Sequence, residues 1–433
     1  MVAEAPSSSA SPSLWSRIKG PWEVPSFRWY WAGSLAQAMS QGMQFLVLGW
    51  LVLEVTGDKT QLGLTISLYG LPNIAFLLAG GIIADRMDRK QLLMVTQAMV
   101  GAMIAGLAAL TVTDNVALWH IYLAAALLGV LQALNMPARL AMLADLVGER
   151  RLLDAVAQFN AAQHAGRIVG PPVAGVLIDQ WNIGMVLVLN AACYGASVLL
   201  LVMVRGAYRP LAAGRQPLLR HIGEGLSVIR DTPMLLTVLV MTCVFGGFGM
   251  SHLQVIPAFA KEQLDSGASE VGLLLLGSGI GALTGSLTLT LMHRAWLYRW
   301  LLFCLVTFSA LLTLFAWSGS FDDLTGTSWG GWFWVTWVFT LLVGIVAIGW
   351  VWPLTTTITQ LASPAEVRGR VMGVLHLVPG LHFLGAWPLT LAAAGVGWPL
   401  AITGAAAMTL LVALTFGLGR KTGRELAAHP SAT

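Results

Sequence analysis

Charge is scarce in this chain: only 10% of its residues are Asp, Glu, Lys or Arg, while 57% are hydrophobic and the mean hydropathy is +0.75. That excludes an ordinary water-soluble domain, in which about a quarter of the residues are charged. Cysteine is equally sparse, with three residues, Cys193, Cys243 and Cys304, each inside an apolar run, so neither a disulfide framework nor a cysteine metal site is expected. The chain lacks an HExxH string, paired carboxylates at one depth and a glycine-rich loop ending in Gly-Lys-Ser/Thr. A membrane enzyme, ATP-driven work, a metal and a cofactor are therefore not expected. The first 27 residues have no apolar core ahead of a small-residue cleavage site, and no cleavable signal is expected.

What the chain does have is long apolar runs. A bilayer core of about 30 Å takes about 20 helical residues to cross, and only helices or closed barrels satisfy their backbone there. Twelve such runs fall at 28–54, 61–84, 91–112, 118–137, 155–178, 184–204, 234–259, 270–292, 299–318, 331–352, 371–393 and 397–418. Of the 24 Lys and Arg, all but Lys59, Lys261 and Arg167 lie in the terminal segments, in the even-numbered gaps or, as Arg28 and Arg299, at the first residue of a run that borders one of them. By the positive-inside rule this predicts a multi-pass protein of the inner (cytoplasmic) membrane with both termini cytoplasmic. The net charge of +4 is spread along one membrane face, so no nucleic-acid partner is expected. Trp29, Trp31, Trp119, Trp181, Trp296, Trp300, Trp329, Trp332 and Trp398 sit near run ends, as interface anchors do.

The longest even gap carries Arg205, Arg209, Arg215, Arg220 and Arg230 and divides the runs six and six. The expected layout is a cytoplasmic segment 1–27, a six-helix bundle 28–204, a linker 205–233, a second bundle 234–418 and a cytoplasmic tail 419–433. Leu219, Ile222, Leu226 and Ile229 recur at helical intervals and predict an amphipathic linker helix. Pro137 and Pro353 each open a short charged loop followed by a helix that meets Pro171 or Pro388, the trace of a duplicated half. The fold class is all-α integral membrane, twelve transmembrane helices in two pseudo-symmetric six-helix bundles.

The gap after the second run reads Gly81-Ile82-Ile83-Ala84-Asp85-Arg86-Met87-Asp88-Arg89-Lys90. It resembles the major facilitator superfamily signature of glycine, three residues, Asp-Arg, two residues, Arg and a further base, with Asp88 where the family often has glycine. The resemblance implies the major facilitator fold and a conformational gate of Gly81, Asp85, Arg86, Arg89 and Lys90. In that gate Asp85 would face the positive end of a neighbouring helix, a contact of roughly 0.3–1 kcal/mol, more if partly buried. The plainer reading is a basic loop that only sets topology.

Gly166-Arg167-Ile168-Val169-Gly170-Pro171-Pro172-Val173-Ala174-Gly175 resembles the family's antiporter signature at Gly166, Gly170, Pro171 and Gly175, with Ala174 replacing one closing glycine. Small residues four apart let helices approach closely, and the prolines permit a bend, so this helix is either a gate or simply tightly packed. On it Asn160, Gln163, His164 and Arg167 recur at helical spacing, and Arg167 is the sole charge expected near the midplane. A central arginine costs at least about 2.5–3.5 kcal/mol unless it meets a partner or water, which makes it a substrate-cavity group or half of a structural ion pair.

Gln37, Gln41 and Gln44 follow Ser34 in a second polar stripe, suited to hydrogen-bonding a substrate or to holding helices together. Carboxylates are absent from the middle of the runs, leaving His164 and His252 as candidate proton carriers. Glu54, near the far end of the first run, is either a third carrier or a solvated interfacial acid. Arg139 falls near the end of the fourth run, which therefore lacks the embedded arginine that many proton-driven members carry there.

With the stretch from Ser363 to Gly373, these motifs narrow the resemblance to the enterobactin-exporter branch, which includes macrolide efflux proteins. It implies a secondary active exporter of small amphipathic organic molecules (drug-, macrolide- or siderophore-like), working by alternating access and proton antiport. Its partners would be a small-molecule substrate, the lipid bilayer and protons, with the protein a monomer. An importer or facilitator of a polar metabolite is the alternative, because fold does not set direction. Asp85→Asn is expected to insert normally but transport more slowly; undiminished transport at matched membrane levels would refute the gate.

Overall fold

A computed structural model describes residues 19–84, 87–206, 208, 218–289, 292, 296–320 and 331–417. The first bundle comprises α1 (Pro25–Thr56), α2 (Lys59–Ala84), α3 (Arg89–Val112), α4 (Leu118–Val147), α5 (Glu149–Gln180) and α6 (Ile183–Met203). A linker helix, α7 (Leu218–Asp231), leads to α8 (Pro233–Gln263), α9 (Ala268–Thr288), α10 (Leu297–Ser318), α11 (Trp332–Ala362), α12 (Arg368–Val396) and α13 (Trp398–Gly417). Among the described residues, ten of these helices are long and apolar enough to cross a membrane. The 26-residue α2 and the 32-residue α5 complete the twelve crossings; α5 carries the polar stripe that lowers its hydropathy. Large apolar side chains such as Leu199 (68% exposed) and Leu287 (70%) line the outside, the inverse of a soluble protein and the form a lipid solvent demands.

The boundaries expected at two prolines are corrected. Pro137 and Pro353 lie inside α4 and α11, which run on to Val147 and Ala362, and the charged loop expected after Pro137 shrinks to Gly148. Neighbouring helices and water satisfy the groups a proline frees, so the helix continues. Gly148 makes the α4–α5 junction at φ +70°, a conformation in which a side chain would be strained. Nearer the carboxyl end, α8 and α11 pass through π-helical stretches at Phe245–Gly249 and Ile345–Val351.

Packing repeats between the bundles. In the first, α2 packs on α4, α3 on α6 and α1 on α5 and α6; in the second, α9 packs on α11, α10 on α13 and α8 on α12 and α13. Two seams join the bundles, α5 against α9 and α2 against α12, and the pseudo-symmetry exchanges one for the other. The linker helix docks on α12 through an Arg370–Glu224 ion pair of 2.7 Å and through Ile229, which packs with Leu235 and Val371.

The antiporter-type helix shows why glycine sits where it does. Gly166 lies on the backbone of Ala38, and a Cβ on Gly170 would stand 2.8 Å from the Met43 nitrogen, both on α1. On the adjacent face a Cβ on Gly272 of α9 would stand 2.8 Å from the Pro171 carbonyl, and Gly175 lies against the Ala268 carbonyl. This single helix is thus pressed backbone to backbone against its own bundle and against the other. Gly170→Leu is expected to destabilise the protein by about 1–3 kcal/mol through overpacking. The measurement is the midpoint of thermal unfolding in detergent, set against Gly106→Leu on the exposed face of α3, where a Cβ would meet no atom within 4 Å. Equal midpoints for the two variants would refute the close approach.

Candidate functional site

Between the two seams α5 presents polar residues that are exposed although deep in the protein, which marks an interior gap there. A turn of about 100° per residue separates that helix into faces: Gly166 and Gly170 meet α1, Ile168 and Pro172 meet α9, and Asn160, His164 and Arg167 fall between them. All three are exposed. Arg167 nevertheless lies deep in the protein, within electrostatic range of Tyr69 on α2 and His382 on α12. Because those residues belong to the opposite seam, the guanidinium points across the centre rather than into lipid. Among the described residues it has no hydrogen-bond or ion-pair partner.

Aromatic rings gather at the other seam. Phe45 and Phe383 stack at 5.7 Å and 19°, Tyr69 meets Phe383 edge-on at 4.8 Å, and the three rings come from α1, α2 and α12. Ser67 donates to the Phe383 carbonyl at 3.1 Å, fastening α2 to α12 beside them.

The end of the molecule opposite the start of α1 and the end of α13, the distal end, is closed by charge. Lys59 of α2 pairs with Glu262 of α8 at 2.6 Å, and the Trp398 indole donates to the same carboxylate at 2.9 Å. Across the other seam, the Asp179 carboxylate at the end of α5 accepts from the Ser269 and Ala268 amides at 2.8 and 3.2 Å. That contact satisfies orphan donors and places an anion on the positive pole of α9. Both of these closures between described residues of the two bundles lie at the distal end.

Other sequence-predicted residues land elsewhere. Gln37, Gln44 and Gln163 are buried inside the first bundle, away from the gap: Gln44 accepts from Tyr194, which accepts from Gln132, at 3.0 and 2.9 Å. Gln41 is half-buried and accepts from Gln37 at 3.4 Å. Gln163 departs from the stripe because it sits on the α1 face, a turn from Gly166. His252 is 2% exposed, packed between Phe308 and Phe315, with Nδ1 2.6 Å from the Gly249 carbonyl oxygen. Glu54 is exposed at the distal end of α1.

In the predicted gate, Asp85 and Arg86 lie outside the described residues, and Gly81 falls in the last turns of α2. Arg89 pairs with Asp145 and Lys90 donates to the Val204 carbonyl at 2.6 Å, both within the first bundle. Asp88, at the family's usual glycine position, caps α3 by accepting from the Gln91 amide at 3.0 Å and holds the Tyr208 amide at 3.0 Å.

The sequence model of the Major Facilitator Superfamily matches residues 30–386. The chain belongs to that superfamily. It is 26% identical over 372 residues to the multidrug efflux pump Tap of Mycolicibacterium fortuitum, covering 84% of this chain and 86% of that one. It is also 26% identical to the enterobactin exporter EntS of Shigella flexneri over 271 residues, 61% of this chain and 62% of that one. Among solved structures it superposes on the nucleoside transporter NupG (D323A mutant) with a TM-score of 0.73 at 15% identity, covering 90% of this chain and 98% of that one. The protein is a transporter and not an enzyme.

Three features of this transporter escaped sequence reasoning. Arg139 is only 3% exposed: α4 continues past Pro137, so the side chain enters the first bundle, where one nitrogen donates to Ser34 at 3.1 Å and two others have no partner among the described residues. Trp398, expected at the membrane interface, is instead 1% exposed and part of the distal closure. Asp179 carried one signal, a lone acid at a helix end, but no indication of its partner. Asp179→Asn is expected to weaken distal closure by about 1–2 kcal/mol, roughly a five- to thirtyfold shift in population. Spin-label distances between the distal ends of α5 and α9 would show it as a larger fraction of long separations; an unchanged distribution would rule it out.

Proposed function

We propose that this transporter exports small amphipathic organic molecules across the inner membrane, with both chain termini and the basic loops cytoplasmic. The observation that carries the reading is the exposed polar face of Asn160, His164 and Arg167, set between two seams that are fastened distally. Such a gap closed toward the outside is the inward-facing member of an alternating-access pair. The two bundles, 28–204 and 234–418, then rock about the seams. Similarity to an efflux pump and an exporter over much of the chain supports the outward direction.

The proton-motive force supplies the energy in this reading. Proton antiport needs a titratable side chain in contact with the gap, and His164 meets that condition beside Arg167. His252 is enclosed by phenylalanine rings and Glu54 stands outside the distal closure, so neither is as well placed. At the cytoplasmic end, Asp85 and Arg86 complete the gate that closes when the distal contacts part, while Arg89 and Lys90 brace it from within the first bundle.

Inside-out vesicles enriched in the protein are expected to accumulate an amphipathic fluorescent substrate when energised, with loss of uptake on adding a protonophore. Accumulation confined to right-side-out vesicles would establish import instead. His164→Gln should reduce energised uptake at least about tenfold, since a positioned proton-transfer group contributes more than that, with substrate binding retained. Unaltered proton-driven uptake would remove His164 from the coupling step.

A further inference from the structure

Among the described residues the central arginine has no anion to face. Every Asp and Glu among the described residues lies in a loop, in the linker helix or toward a helix end, and the nearest on its own helix, Asp154 and Asp179, are about 18–20 Å along the axis. Tyr69 and His382 lie in electrostatic range but carry no negative charge near neutral pH. His164, its neighbour one turn away, is neutral or positive. A cation held at membrane depth, exposed to water and without a counter-ion, has unused capacity for a negative ligand, because a guanidinium offers five donors in a planar fork suited to a carboxylate, sulfonate or phosphate.

The opposite wall adds the second half of the specificity. Phe45 and Phe383 are half-buried and stacked, and both meet edge-on the Tyr69 ring that lies in electrostatic range of Arg167, as does His382 beside Phe383. Flat apolar surface is favoured there by burial and by ring stacking. A cationic amphiphile would meet the aromatic wall but also an unneutralised arginine, which opposes it.

Resting on the export reading, and deepening it, we propose that the cargo is an organic anion with a flat aromatic or similarly apolar body. Its acid group pairs with Arg167 and its body lies against Phe45 and Phe383. Neutralisation of Arg167 by cargo removes the cost of carrying a bare charge through the occluded intermediate, so loaded bundles close more readily than empty ones. An anion leaving the cytoplasm is also pushed outward by an inside-negative potential, which explains how export can proceed with no carboxylate in the middle of the described membrane helices.

The test uses the purified full-length protein and three naphthalene probes of nearly equal ring area: naphthalene-2-sulfonate, 2-naphthol and (2-naphthylmethyl)trimethylammonium. Calorimetric binding in detergent is expected to favour the sulfonate over the neutral probe by at least roughly tenfold, the value of a charge-assisted hydrogen bond, with the ammonium probe weakest. Arg167→Gln should abolish that order and Arg167→Lys retain it, while Phe383→Leu weakens the sulfonate and the naphthol alike. Equal affinity for all probes, preference for the ammonium, or an unchanged order in Arg167→Gln would overturn the proposal. Should Arg167→Gln fail to fold, the probe order in wild type and Arg167→Lys still decides it. Binding in detergent is blind to direction, so sulfonate preference with uptake only into right-side-out vesicles would overturn export and leave the anion site standing.

Discussion

Two helices can approach closely enough for backbone contact only where at least one of them lacks a Cβ at the crossing, and this transporter gathers that condition on the helices that join its halves. Lipid gives apolar side chains no reason to prefer another helix, so close van der Waals packing is what remains to hold a bundle together. Gly166 and Gly170 bring α5 onto α1, while Gly175 and Gly272 bring it onto α9. The symmetry-related seam repeats the device: Gly385 of α12 lies on Gly247 of α8, and Gly63 and Gly70 of α2 lie on α12. Both seams therefore consist of a helix clamped on two sides.

From that clamp follows the placement of polar groups. Within the first bundle, some buried side chains are joined to partners on neighbouring helices, as in Ser40 with Asn190 at 2.5 Å and Tyr194 between Gln132 and Gln44, while others, such as Gln97 and two nitrogens of Arg139, have no partner among the described residues. A polar group without water must find such a partner or destabilise the fold. The exposed residues between the clamped faces of α5 are under no such requirement, because water reaches them in the gap.

Closure is electrical at the distal end. Asp179 on the pole of α9 and Lys59 on Glu262 join different seams, so both must part before the bundles can separate there. Their partly exposed setting keeps each contact weak.

Apolar run length and the scarcity of charge were enough to read twelve crossings, and the charged loop after the second was enough to read the family, because the bilayer imposes one length and one polarity on every crossing. The isolated arginine in the fifth run was legible for the same reason. Spacing alone could not tell which polar stripe faces the gap: Gln37, Gln44 and Gln163 share helical periodicity with the lining residues but meet a neighbouring helix instead. Nor could it find Arg139, hidden by a proline that does not end its helix, or pair Asp179 with an amide about 90 residues away. Those assignments depend on which helices become neighbours and at what rotation, a property of the whole packed assembly that only the tertiary structure decided.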